Sequence, residues 1–332
     1  MASLRIVNTF PLTAEALGAI GAVPGVSITT SDAGQSAGVD LSDVDAFFGE
    51  LPEGGLDRAP RLRWIARAGA GVEDVDLPGL ARRGITLTNA SGLHASSMGE
   101  YCIGALLFLA QRHALRIGAQ QRHEWDADGG FATPLRDRTL AVLGYGSIGR
   151  EVARLADALG MRVLAVKLRP EERRDEGFRP AGIGDPEGRI PERIAGLDGL
   201  LGVLGEADAI VISLPLTART RGLLGAAELA AMKPSALIVN VGRGPMINEQ
   251  ALVDALRGGR LGGVYLDVFD EEPLPAGHPY WDTPNLFVSP HIAGVNSYER
   301  YWQDMGVLLE ENVRRFVAGQ PLINAIDASR AY

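Results

Sequence analysis

Three short segments of the 332-residue chain carry side chains that surface decoration explains poorly. In Ala236-Leu-Ile-Val-Asn-Val-Gly-Arg243-Gly244 an apolar run ends in an arginine bracketed by glycines. Glycines there would open room for a ligand beside a planar, permanently charged fork, and that fork suits a carboxylate. Gly263-Val-Tyr-Leu-Asp267-Val-Phe-Asp270-Glu271-Glu272-Pro273 sets an acidic cluster at the end of a second run, and Leu286-Phe-Val-Ser-Pro290-His291-Ile-Ala-Gly294 sets a histidine at the end of a third. Reducing a 2-oxo acid requires a proton at the carbonyl oxygen while hydride reaches the carbon, and histidine supplies protons near neutral pH. A carboxylate bonded to the far ring nitrogen would hold the tautomer and favour the protonated ring.

Hydride needs a carrier, and Thr139-Leu-Ala-Val-Leu-Gly144-Tyr-Gly146-Ser-Ile-Gly149 has the pattern of a dinucleotide site: GxGxxG between an apolar strand and an amphipathic helix. Gly144 would allow the tight turn, Gly146 the approach of backbone to pyrophosphate, and Gly149 the packing of helix on strand. Free N–H groups near Ser147 and Ile148 would meet the phosphates at the favourable end of the helix dipole. The next strand, Arg162–Arg169, ends in Lys167 where an NAD-specific site would present Asp or Glu to the ribose. Lys167 and Arg169 could instead pair with a 2′-phosphate, so NADP is favoured over NAD. Arg173 and Arg174 read as solvated loop charges.

These groups must be positioned by a scaffold. Short apolar runs, Arg5–Val7, Val44–Phe48, Leu62–Ala66 and Ile85–Thr88, alternate with segments of helix length, the arrangement that builds parallel sheets. One long helix is expected over about Ser96–Arg116. A second series of strands is expected at Thr139–Leu143, Val163–Val166, Ala209–Ser213, Ala236–Asn240, Gly263–Leu266 and Leu286–Ser289, most of them continuously apolar like strands covered on both faces. Arg169–Gly196, rich in Pro, Gly and mixed charge, reads as an exposed loop, and Tyr301–Ala318 as a helix stopped by Gly319 and Pro321.

The ordered set Gly144-Tyr-Gly-Ser-Ile-Gly149, Val241-Gly-Arg243-Gly, Asp267-Val-Phe-Asp-Glu-Glu272-Pro and Ser289-Pro-His291-Ile-Ala-Gly294 resembles the D-isomer-specific 2-hydroxyacid dehydrogenase family over nearly the whole chain. The resemblance implies an α/β protein of two Rossmann-like domains with doubly wound parallel sheets. An NAD(P)-binding domain, 93–295, would be inserted into a flavodoxin-like substrate-binding domain, 1–92 and 296–332. It implies that Arg243 binds and polarises the substrate and that His291 is the acid/base. Glu272 would be its partner, because the family's catalytic Glu immediately precedes Pro, which leaves Asp270 and Glu271 solvated. Asp267 would lie near the nicotinamide amide. Leu214, Pro215, Thr217 and Thr220 would line the nicotinamide side, with Val241, Gly242 and Gly294 also at the cofactor. Backbone N–H groups of the loop Gly69-Ala70-Gly71-Val72 would receive the substrate carboxylate. Asn89–His94 with Glu100 resembles the family's interdomain crossover. Two departures are visible: Lys167 itself, and a connection over 169–196 longer than the family's usual one.

For Arg67, Trp64 and His94 both packing and a site role stay open, as they do for Trp281, which could wall a pocket or pack its own loop. His113, His123 and His278 are expected at the surface. No His/Cys/Asp cluster has metal-ligand spacing. The formal charge is −9 with no basic block, which disfavours nucleic acid. The only cysteine, Cys102, lies in an apolar run of about ten residues, half of what a membrane span requires. It can form no intrachain disulfide, and no signal-peptide pattern precedes the first strand, so a cytoplasmic location is expected.

The leading function is reduction of a small 2-oxo acid such as glyoxylate, hydroxypyruvate or a branched analogue; the resemblance also implies a homodimer, for whose contact the helix near Ser96–Arg116 is a candidate. Formate or phosphite dehydrogenases on the same scaffold are rivals, although the formate enzymes carry an amide where Glu272 stands. A non-enzymatic NAD(H)-sensing corepressor is the alternative from another class.

Overall fold

The computed structural model describes residues 4–31, 38–72, 74–126, 130, 132–294 and 298–327. The chain divides into two compact units: Met1–Leu93 with Glu176–Pro180 and Asn296–Tyr332, and His94–Asp175 with Ala181–Val295. Among the described residues, no helix is long and apolar enough to cross a membrane.

The first unit opens with β1 (Leu4–Asn8), α1 (Ala14–Gly21), β2 (Val26–Thr30), β3 (Ala46–Phe48), α2 (Gly55–Arg58), β4 (Trp64–Ala66), α3 (Leu77–Arg82) and β5 (Thr86–Thr88). Its sheet is parallel throughout, in the flavodoxin-like order β2-β1-β3-β4-β5. Side-chain oxygens of Thr13 and Asp76 cap α1 and α3 by accepting from Ala16 and Gly79 N–H. Trp64 is fully buried, edge-on to Phe48 at 4.9 Å and stacked on Phe316 at 5.5 Å, and its indole N–H donates to Thr88 Oγ1 at 2.9 Å. Trp64 is therefore a core residue. The edge strand β2 has no counterpart among the expected strands, because its Val-Ser-Ile-Thr-Thr run is too short and too exposed to show an apolar period.

The second unit begins with α4 (Ala95–Ala110) and α5 (His113–Gln121), where the sequence suggests one helix. The helix breaks because Arg112 takes a left-handed conformation, φ 53, and the Ala110 carbonyl accepts from Thr133 N–H. Apolar burial ends at the same place: α4 buries seven residues, whereas α5 buries only Ala119.

β6 (Thr139–Leu143), α6 (Ser147–Ala158), β7 (Arg162–Val166), β8 (Arg193–Ala195), α7 (Leu200–Glu206), β9 (Ala209–Ile212), α8 (Ala226–Ala231), β10 (Leu237–Asn240), α9 (Glu249–Arg257), β11 (Gly263–Leu266) and β12 (Leu286–Val288) follow. They make a seven-stranded parallel sheet in the order β12-β11-β10-β9-β6-β7-β8. Strand order reverses between β6 and β9, the switch point where open α/β sheets hold ligands beyond the strands' carboxyl ends. All residues of β6 and β9 are buried, as strands covered on both faces should be.

The 169–196 stretch is not simply an exposed loop. It contains β8, which pairs with β7 through Leu164↔Arg193 and Val166↔Ala195, and it buries Pro180, Asp185 and Gly188. Its residues 176–180 join the first unit. There Phe178 packs among the core side chains, and its N–H donates to Asn324 Oδ1 at 3.1 Å. Gly92, φ 94, lets the Phe178 carbonyl occupy the place a Cβ would take. The last helix, α10 (Tyr298–Val317), belongs to the first unit and buries Met305, Leu308, Leu309 and Val313 in the same core.

Candidate active site

The β6–α6 turn has the features a pyrophosphate requires, and its three glycines differ in what they avoid. Gly144, φ 105, would place a Cβ 2.7 Å from the Leu214 N, and a Cβ on Gly149 would collide with the Gly144 carbonyl. At Gly146 a Cβ would meet nothing within 4 Å. No protein atom demands glycine there, and the open space leaves the backbone accessible to a ligand. Gly146 is the N-cap of the twelve-residue α6 and offers no side-chain cap, which leaves the first-turn N–H groups at Ser147 and Ile148 available to an anion. The turn therefore fits a dinucleotide. At the end of β7, Lys167 is partly buried and donates to the Glu172 carbonyl, while Arg169 pairs with Glu172 at 3.0 Å. Burial, then the neighbouring Arg150 charge, lowers the Lys167 ammonium below its ordinary value.

Beyond β10, β11 and β12 stand the three groups expected to do chemistry. Glu272 Oε2 lies 2.7 Å from His291 Nδ1, and its Oε1 accepts from Phe269 N–H at 2.9 Å. Burial alone would raise the Glu272 carboxyl, but the hydrogen bonds from His291 and Phe269 and the positive charge of Arg243 hold it below the usual carboxylate range. The His291 side chain is half exposed, so its other nitrogen faces outward from the pair. Asp270 and Glu271 are exposed.

The glycines around Arg243 do not open room for a ligand, as the sequence suggested. A Cβ on Gly244 would run into the Phe269–Asp270 backbone, and one on Gly242 would come within 2.9 Å of the Leu214 carbonyl. Their absent side chains let neighbouring strand ends close in, which brings Arg243 beside the acidic turn. Arg243 Nη1 donates to the Gly242 carbonyl at 2.9 Å.

Asp267 is 1% exposed and is the hub of the His291 turn. Its Oδ1 accepts from Ser289 Oγ at 2.7 Å, Ile292 N–H at 3.0 Å and the Tyr101 hydroxyl at 3.2 Å, and its Oδ2 accepts from Ala293 N–H at 2.8 Å. Tyr101, from α4, also bonds Ser289 Oγ. These bonds enclose His291, whose φ of 55 is left-handed and costly for a residue with a Cβ. Sequence reasoning missed Tyr101 altogether. Its only signal was a hydroxyl within an otherwise apolar helix face.

Leu214 is buried, with its backbone lying between the Gly144 and Gly242 turns, and Pro215 is exposed. Thr220 is fully buried and spends its hydroxyl on the Pro215 carbonyl at 2.7 Å, so it shapes that loop, with Thr217 beside it. Val241 is buried, and Gly294 lies against His94, whose imidazole burial lowers. His278 is not the surface residue expected: it accepts from Tyr280 N–H and lies 3.4 Å from Glu249. His113 and His123 are exposed. Trp281 is half exposed and donates to the Pro275 carbonyl, which fixes its loop.

In the first unit, Ala70 and Gly71 are at least partly accessible, while the Val72 side chain packs into the core, leaving only backbone to face a ligand. Asn89 steadies this loop by donating to the Ala70 carbonyl at 2.6 Å. Arg67 is locked in a two-pronged pair with Asp74 at 2.7 and 3.1 Å.

Residues 103–293 match the profile of the D-isomer specific 2-hydroxyacid dehydrogenase NAD binding domain. A glyoxylate reductase from Aeropyrum pernix is 34% identical over 279 residues, 82% of this chain and 78% of that protein. A crystal structure of a D-isomer specific 2-hydroxyacid dehydrogenase family protein from Aeromonas salmonicida superposes with a TM-score of 0.76 at 32% identity, covering 98% of this chain and 99% of that one. An NADPH-dependent glyoxylate/hydroxypyruvate reductase from Sinorhizobium meliloti, solved with NADP and sulfate, gives 0.75 at 29% identity over 99% of this chain and 100% of its own. With the Rossmann turn, the two parallel sheets and these matches together, the chain belongs to the D-isomer specific 2-hydroxyacid dehydrogenase family of oxidoreductases.

Proposed function

We propose that this enzyme reduces a small 2-oxo acid of the glyoxylate or hydroxypyruvate type to the D-2-hydroxy acid and prefers NADPH to NADH. The observation that carries the chemistry is the 2.7 Å contact between Glu272 Oε2 and His291 Nδ1. With Nδ1 held, Nε2 is the nitrogen that gives a proton to the substrate carbonyl oxygen, and the Glu272 carboxylate stabilises the charged ring that holds that proton beforehand. When bound, the reduced dinucleotide supplies the hydride for the carbonyl carbon. Arg243 pairs with the substrate and polarises its carbonyl.

For the cofactor we assign Gly144, Gly146, Ser147, Ile148 and Gly149 to the pyrophosphate, Lys167 and Arg169 to the 2′-phosphate, and Leu214, Pro215, Thr220, Val241, Gly242, Asp267 and Gly294 to the nicotinamide side. Residues 93–295 are taken as cofactor-binding, and 1–92 with 296–332 as substrate-binding, with N–H groups at Ala70, Gly71 and Val72 receiving the carboxylate. Support for the substrate class comes from the relatives named as glyoxylate and glyoxylate/hydroxypyruvate reductases, and support for NADPH from the neighbour solved with NADP and from the absence of an acid at position 167. The same reading carries a cytoplasmic location and a homodimer, the latter supported by Leu115 and Ile117, each nearly half exposed on α5.

A panel of small 2-oxo acids incubated with NADPH or NADH, followed by loss of reduced-cofactor absorbance, tests this. Turnover of glyoxylate or hydroxypyruvate with a lower KM for NADPH is expected, and absence of turnover with both acids would overturn the substrate class. Arg243→Ala should lower kcat/KM for the acid roughly 100-fold while leaving the cofactor Kd within about twofold.

A further inference from the structure

Immediately after the last glycine of the cofactor turn come two charged residues that the chemistry leaves unused, Arg150 and Glu151, each only 2% exposed. Burying charge is costly unless partners surround it, and here the partners come mainly from one segment. Arg150 Nη2 donates to the Arg173 carbonyl at 2.7 Å and Nη1 to the Asp185 carbonyl, while Nε lies 3.6 Å from the Asp175 carboxylate. The guanidinium covers the Tyr145 ring at 4.7 Å. Tyr145, the residue between Gly144 and Gly146, donates its hydroxyl to Asp185 Oδ2 at 2.6 Å. The Asp185 carboxylate also accepts N–H groups of Arg189 and Ile190 at 3.0 and 2.9 Å. Glu151 Oε2 accepts Gly184 N–H at 2.6 Å and pairs with Arg154.

Tyr145, Arg150 and Glu151 thus fasten Arg173, Asp175, Gly184 and Asp185 to the pyrophosphate turn and the start of α6, while the Asp185 carboxylate ties the same segment to itself at Arg189 and Ile190. That segment continues directly from Lys167 and Arg169, which are themselves held to Glu172. We propose that Tyr145, Arg150 and Asp185 form a clamp that holds the segment after β7 in place and thereby sets the enzyme's preference for a dinucleotide with a 2′-phosphate. They are positioning residues, acting through Lys167 and Arg169, and the proposal rests on the reading of those two as the phosphate contacts. Cations on a segment already fixed meet the phosphate without the ordering cost a loose loop would incur. NADH lacks the group they meet, so loosening the clamp weakens NADPH and spares NADH.

The test is the KM for each cofactor, with kcat, in Tyr145→Phe, Asp185→Asn, Arg150→Met and Lys167→Ala. In the first three variants the NADPH KM should rise about tenfold, with the NADH KM and kcat at saturating NADPH within about twofold. Lys167→Ala should shift the ratio in the same direction. Arg150→Met leaves buried carboxylates without their counter-charge, so if it does not fold, Tyr145→Phe carries the test by removing a single hydroxyl. An enzyme that prefers NADPH but keeps its ratio in Tyr145→Phe and Asp185→Asn, or loses both cofactors equally, would overturn the clamp alone. An unsubstituted enzyme that prefers NADH, or a ratio unmoved by Lys167→Ala, would overturn the reading of Lys167 and the clamp's role with it.

Discussion

Glu272 binds His291 with one carboxylate oxygen and the Phe269 N–H with the other, so the group that orients the histidine is itself tied to the end of its own strand. Neither side chain is fully buried, at 35% and 51% exposed, and the pair owes its geometry to backbone on both sides. On the Glu272 side, Gly244 allows the Phe269–Asp270 backbone to pass beside Arg243. On the His291 side, Asp267 holds the two N–H groups that follow.

If His291 transfers the proton and Glu272 orients it, the two should differ in severity when replaced. His291→Asn should lower kcat about 1,000-fold, and Glu272→Gln, which keeps an acceptor for Nδ1 but removes the charge, about 30-fold. Cofactor affinity, measured by fluorescence titration with NADPH, should stay near that of the unsubstituted enzyme in both. Equal losses in the two variants would remove the division of roles.

Tyr101 reaches the active-site turn from 166 positions away in the sequence, through Asp267, and 188 away through Ser289. Tyr101→Phe removes both bonds with little change in shape, and should loosen the left-handed turn at His291. We expect kcat to fall about tenfold with the KM for NADPH unchanged, a loss of catalytic geometry worth one buried hydrogen bond or slightly more. A fall in thermal stability with kcat intact would make the hydroxyl a packing element only.

The second sheet and its glycine-rich turn were legible because β6, β9, β10 and β11 are largely apolar runs and because each carboxyl end carries a candidate site residue within a few positions. Glu272 could be chosen among three acids only through the family resemblance, in which the catalytic Glu immediately precedes proline. What stayed illegible depends on packing between distant segments. The purpose of Gly242 and Gly244 is decided by backbone from residues 214 and 269, and the break at Arg112 by a carbonyl taken up at Thr133. The 169–196 stretch has no apolar period because much of its order comes from polar anchors on Tyr145 and the start of α6, which leave no trace in hydrophobic spacing.

Asp185 provides a pH test of those anchors. Burial works to raise its carboxyl, but the Tyr145 hydroxyl, the Ile190 and Arg189 N–H groups and the Arg150 charge outweigh that and hold it below its ordinary value. A carboxyl lowered on folding adds stability that is complete above the unfolded-state value of about 3.9 and disappears as pH falls through the folded value. Thermal melts should therefore show a steeper loss of Tm below about pH 4 in the unsubstituted protein than in Asp185→Asn. Parallel Tm curves would show that Asp185 titrates alike in the folded and unfolded chain.

The cofactor-turn glycines separate a folding role from a binding role at neighbouring positions. Alanine at Gly149 must displace the Gly144 carbonyl against α6, so it should cost about 2–3 kcal/mol, seen as a Tm lowered by roughly 5–10 °C. Alanine at Gly146 meets no protein atom within 4 Å and should leave Tm within about 1 °C. Its methyl group instead enters the space where backbone must approach the pyrophosphate, so NADPH affinity should fall at least about tenfold. Calorimetry with and without NADPH reads both effects: Gly149→Ala melts low in the free protein, whereas Gly146→Ala melts normally when free and loses the stabilisation that NADPH confers. A Gly146→Ala protein that binds NADPH normally would place the dinucleotide somewhere other than the β6–α6 turn.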